Sequence, residues 1–147
     1  MLNSLIELFE RDLRKLEKEI LAYQKERNLW LTSKQISNTA GNLALHVCGN
    51  LQHYIGAILG KSDYIRNRNQ EFEIKDVKRE KIIAEIQNTE KVVEQTLSNL
   101  THDAFTKSYP EQVLGYDMTS EFFLIHLYGH LNYHLGQINY HRRMLDK

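Results

Sequence analysis

Four of the seven histidines in this chain, His126, His130, His134 and His141, fall between positions 126 and 141. At about 100° per helical residue they lie within an arc of about 80°. The neighbouring arc holds Leu127, Leu131, Ile138 and Leu145, so the imidazoles border a buried stripe. Neutral imidazole nitrogens are ligands for zinc, nickel, copper or iron(II), and a three-histidine set leaves coordination positions for water or substrate. Residues four apart sit about 6 Å apart on one face and can share an ion, whereas seven residues span about 10 Å of rise. His126 with His130, or His130 with His134, are therefore possible pairs, and His134 with His141 is not. A third ligand has to come from another helix. His46, Gly49, Asn50, His53 and Ala57 share one arc of an earlier segment, so His46 and His53 are the candidates, with small residues beside them leaving space.

Taken singly, each histidine reads as a half-buried side chain hydrogen-bonded to tyrosine, asparagine or backbone. Taken together, six aligned imidazoles beside apolar stripes would need six separate hydrogen-bond solutions, and a shared cation removes that need. Cys48 lies about 200° around the helix from His46, which makes it a small buried hydrophobe and not a ligand. Tyr133 is placed to reach a site, and Asn50 and Gln137 to orient a ligand or substrate. His102 reads as a surface residue. There is no glycine-rich phosphate loop, no Ser-His-Asp order and no inward Glu-x-x-His of the di-iron bundles.

The elements that must position these residues are helical. With one proline in 147 residues, apolar positions recur at three and four: Leu2, Leu5, Phe9, Leu13, Leu16, Ile20 and Tyr23 predict a helix over about 2–25. Ser37 is the expected cap of a second helix reaching Leu59, where Gly60 ends it. Residues 61–76 are polar and aperiodic, suiting a crossover along a bundle. Asp76 is the expected cap of a third helix over 77–100. His102 to Met118 reads as a loop, with Gly115 and Asp117 suggesting a short hairpin, and Thr119 caps a fourth helix running to Leu145. The result is an all-α, four-helix-bundle fold with a crossover, in one domain over 1–147.

Nineteen basic and nineteen acidic side chains cancel, so there is no surplus charge to release counterions from nucleic acid or to hold an anionic membrane. The start turns charged too early for a signal peptide and no apolar run is long enough to span a bilayer, so the expected location is cytoplasmic. A lone cysteine agrees with a reducing compartment. Leu8, Leu21, Phe122, Ile125 and Tyr140 lie outside the inward stripes of the first and fourth helices, which predicts a homodimer covering them.

The run GHLNYHLGQINYHRRML, Gly129 to Leu145, resembles the closing helix of the DinB/YfiT-like metalloenzyme superfamily, with His-x-x-x-His followed by Gly-Gln and then Tyr and Arg. The segment NLALHVCGNLQHYIGAIL, Asn42 to Leu59, is similar to that family's helix bearing the remaining ligand. The resemblance implies an up-down-down-up bundle, often homodimeric, with His46, His130 and His134 as ligands of zinc or nickel. It also implies chemistry on a small-molecule substrate: thiol-dependent S-transfer with a low-molecular-weight thiol as cosubstrate, or hydrolysis. His53 and His126 would then be a general base or groups behind the ligands, and Arg66, Arg68 or Arg142 would supply a cationic mouth for a thiol's carboxylates. The rival expectation is a non-catalytic metal-binding or stress-associated interaction module, its ion closed by His126 or His53.

Overall fold

The computed structural model describes residues 1–147, and it is helical almost throughout, with no strands. Helix α1, Leu2–Ala22, buries Leu5, Phe9, Leu13, Leu16 and Ile20 on one stripe, as the spacing requires. A 3₁₀ segment, Glu26–Trp30, follows. Helix α2, Ala40–Leu51, starts two residues later than expected. Its cap is Thr39, whose Oγ1 accepts from the Asn42 amide at 3.0 Å, and not Ser37. From Gln52 to Leu59 the helix continues in π geometry, with the Gly60 amide reaching back five residues to the Ile55 carbonyl at 2.9 Å.

The crossover is not aperiodic coil. It carries α3, Arg68–Glu73, capped by Asn67. Asp76 caps nothing; its φ is 57°, a turn conformation. Helix α4, Arg79–Ser98, begins instead after Lys78, and its first amide, that of Arg79, donates to Glu26 Oε1 at 2.6 Å. Helix α5, His102–Thr106, leaves His102 exposed at its start. The loop after it closes like a hairpin, Tyr109 amide to Met118 carbonyl at 2.8 Å, with Gly115 at φ 85° in its turn. Thr119 caps α6, Ser120–Leu145.

Cross-helix pairs fix the directions. Glu19 accepts from Asn139 and Arg142 of α6, while Asp12 meets Tyr128, so α1 and α6 run parallel. Arg14 pairs with Glu90 and Glu17 with Gln87, so α4 runs against α1. Gln52 bonds Thr89 and Gly60 abuts Thr96, so α2 and α4 run parallel. His46 faces His130 and Tyr54 faces Phe123, which makes α2 antiparallel to α6. The order is up-down-down-up, and the parallel α2 to α4 step is what demands the long crossover. Twenty-seven buried apolar residues from all four long helices and their connections form one core cluster. No helix is long and apolar enough to cross a membrane.

The charge run from Arg11 to Glu19 would by pattern suit a solvated helix face, yet one of its charges is in the interior. Asp12 is fully buried, accepting from Arg11 at 2.8 Å and from the Tyr128 hydroxyl at 2.6 Å. Burial works to raise its carboxyl, but these hydrogen bonds outweigh it and hold the group well below the usual range.

Candidate metal centre

The structure brings His46, His130 and His134 together and leaves the other histidines outside. The ligating nitrogens of the three lie within 4.8 Å of one another. His130 Nε2 is 3.1 Å from His46 Nε2 and 3.1 Å from His134 Nε2. Nitrogens each bound about 2.0–2.1 Å from one tetrahedral ion stand about 3.3 Å apart, so the two separations from His130 suit a shared ion. His130 and His134 project from successive turns of α6, anchored by Leu127, Leu131 and Ile138 in the core. His46 sits in the middle of α2, only 5% exposed, with Val47 and Leu43 buried beside it.

The partners on the far side of each ring decide where the lone pairs point. His46 Nδ1 lies 3.0 Å from Glu71 Oε1, and His134 Nδ1 lies 2.7 Å from Gln137 Oε1. A carboxylate or amide oxygen only accepts, so both Nδ1 atoms carry the proton and both Nε2 atoms present lone pairs inward. His130 Nε2 faces both lone pairs, while its own Nδ1 is buried without a partner. Burial, then the His134 and His46 charges, push His130 down to about 3. Burial also lowers His134, against the opposing Gln137 bond. Neutral imidazoles with converging lone pairs form a donor set that a divalent cation satisfies.

Behind His46 stands a group that periodicity did not reveal. Glu71, on α3, is 7% exposed and receives Arg66 through Nε and Nη2, both at 2.9 Å. Burial works to raise Glu71, but the His46 and Arg66 hydrogen bonds prevail and hold it below the usual range. Phe72 packs on the His46 ring at 4.7 Å. The space beside Gly49 is not open: a Cβ built there would overlap Glu71 Oε2, so only glycine admits the carboxylate. The sequence signal was Asn67-x-x-Gln70, a cap, followed by a carboxylate and an aromatic in a mainly polar run.

The remaining candidates lie elsewhere. His53 packs on Tyr54 at 4.7 Å, and the exposed His126 stacks on Phe123 at 5.8 Å. His53 is seven residues from His46, about 10 Å along the helix axis, and stands outside the cluster that His46 joins. Tyr133 is 65% exposed, its ring 5.3 Å from that of His134. Asn50 is buried beside the site with its Oδ1 unpartnered. Of the arginines proposed for a cationic mouth, Arg66 is held by Glu71 and Arg142 by Glu19 at 2.8 Å, while Arg68 lies over the Phe72 ring. Burial pushes the Cys48 thiol up to about 12, leaving it inert.

His141 is buried apart from the cluster. Its Nδ1 accepts from the Tyr23 hydroxyl at 2.7 Å and its Nε2 donates to the Leu31 carbonyl at 2.8 Å. Burial lowers its pKa from 6.5, so it stabilises the fold above that pH and the contribution is lost as pH falls below it. His141→Gln should therefore flatten the decline of stability between pH 6.5 and 5 by up to one proton, about 1.4 kcal/mol per pH unit. Thermal melts across that window check this, and an unchanged slope refutes it.

Bundle and cluster together define a helical protein with a three-histidine cluster that could hold a metal ion. The chain belongs to the family described as "Protein of unknown function (DUF1572)", whose model matches residues 1–147. Among solved structures it is similar to a conserved protein from Enterococcus faecalis, with a TM-score of 0.77 at 12% identity, covering 97% of this chain and 95% of that one. That likeness shows the same fold. No curated protein matches the sequence.

Proposed function

We propose that this chain is a metal-dependent enzyme of the DinB/YfiT-like kind, acting on a small molecule by hydrolysis or thiol-dependent S-transfer. His46, His130 and His134 would hold one zinc or nickel ion through Nε2. The observation that carries the reading is the pair of protonated Nδ1 atoms, on Glu71 and Gln137, which aim two lone pairs at the nitrogen of a third ring. When bound, a divalent ion with three imidazole ligands supplies a Lewis acid that makes a water or thiol nucleophile available near neutral pH. Glu71 and Arg66 hold His46 in its ligating tautomer, and Gln137 does the same for His134. His126 and His53, outside the cluster on the two helices that build it, would serve as proton acceptors. The ion pairs that occupy Arg66 and Arg142 favour hydrolysis over transfer from a carboxylate-bearing thiol.

Metal analysis of untagged protein is the first test, followed by the visible spectrum of a cobalt-substituted sample and a screen of neutral esters and of electrophile with thiol. One ion per chain with solvent among its ligands supports the reading. A metal-free protein, or an ion closed by four protein ligands, overturns it.

We also propose a homodimer. The long connections do not cover the apolar residues outside the bundle stripes: Leu21, Phe122, Ile125 and Tyr140 remain 46–61% exposed, although Tyr116 lies against Phe122. A two-fold contact is the usual way to cover such a face. Light scattering should give about twice 17.4 kDa, and Ile125→Lys should return it to the monomer mass with bound metal unchanged. A monomeric wild type refutes the dimer.

A further inference from the structure

The cluster has a second chamber beside it. A cleft of about 350 Å³ lies between the 35–38 segment and the C-terminal half of α6, within the range of small-ligand sites. Gln137 lines it, and the same side chain accepts the His134 Nδ1 proton. One hydrogen bond therefore separates the cleft from a ligand of the proposed ion.

The lining selects by charge. Gln35, Ser37 and Asn38 offer neutral donors and acceptors on one wall; Leu43, Tyr140 and Met144 offer apolar surface on the other. No lysine, arginine, aspartate or glutamate lines it. His141, which does, has both ring nitrogens engaged by Tyr23 and Leu31 and is held neutral by burial. A carboxylate or ammonium entering would be desolvated without a counter-charge, whereas an amide or ester would find partners. Gln137 commits its Oε1 to His134 and keeps its Nε2 donors for an acceptor on the ligand.

We infer that this cleft binds an uncharged, partly apolar small molecule carrying a carbonyl or similar acceptor, and that Gln137 couples its occupancy to His134. The coupling rests on the metal-dependent reading above; the cleft itself does not. Gly136 supplies the test, because it lines the cleft and a Cβ added there meets nothing within 4 Å.

The probe series is 4-phenylbutanamide, 4-phenylbutanoate and 4-phenylbutylammonium, measured by saturation-transfer NMR titration on wild-type protein and Gly136→Leu, each assayed for metal. The amide is expected to bind at least about tenfold more tightly than either ion. Gly136→Leu should weaken the amide by at least about tenfold while keeping its melting temperature, since leucine is the better helix former. Equal binding of the three probes overturns the cleft even if the protein holds its ion. A metal-free wild type that still prefers the amide upholds the cleft and overturns only its coupling to an ion.

Discussion

His130→Ala is expected to lower bound zinc from about one ion per chain to under about a tenth after dialysis, because a tetrahedral site reduced to two imidazoles loses the ligand its other two face. His130 Nε2 stands 3.1 Å from both partners, so its loss leaves no central nitrogen in the set. His134→Ala and His46→Ala should behave alike. His53→Ala and His141→Ala should retain the ion, His53 because it packs on Tyr54 away from the cluster, His141 because its nitrogens are already engaged. The fold should survive His130→Ala and His134→Ala, whose half-buried rings border the core and do not fill it, whereas His46→Ala also strands the buried Glu71 and should lower stability. Plasma emission analysis with circular dichroism on the same samples decides the matter. Full metal content in His130→Ala would remove the site, and loss in His53→Ala but not His46→Ala would show that the wrong residue of α2 was chosen.

The shared face of the α6 histidines was legible because α-helical period converts spacing directly into a face, and α6 keeps that period unbroken from Ser120 to Leu145; the choice of His46, His130 and His134 among the possible pairs came from the family resemblance. A shared arc is not enough by itself: His53 is seven residues from His46, about 10 Å of rise, and the cluster takes only His46 from that stretch of helix. The cap at Thr119 was legible, and that of α2 was misplaced where Ser37, Asn38 and Thr39 compete. The start of α4 is capped by Glu26, more than fifty residues away in sequence, which no local pattern can announce. Asp12 looked like one more charge on a solvated face, because its burial depends on Tyr128 reaching across from another helix. Glu71 escaped for the same reason. Its role is written in α3 and in the gap at Gly49 together, and only tertiary contact joins them.

That gap gives the second large effect. Gly49→Ala in an isolated helix interior would stabilise by about 0.5–1 kcal/mol, since alanine loses less backbone entropy. Here it should do the opposite. The new Cβ overlaps Glu71 Oε2, and that carboxylate cannot swing aside without leaving both Arg66 and the His46 Nδ1 proton. Breaking a buried pair while leaving its partner in place costs about 3–5 kcal/mol, which outweighs the helix gain. Releasing the His46 tautomer should weaken metal binding by about 10–100-fold. Glu71→Ala should show losses of the same size, since it strands the same two groups. The decisive measurement is the double variant: with the carboxylate gone, Gly49→Ala no longer has anything to displace and should revert to its helix-stabilising sign. Chemical denaturation and competitive zinc titration of the four proteins yield the coupling. If Gly49→Ala is equally destabilising with and without Glu71, the close approach of α3 to α2 is not what positions His46.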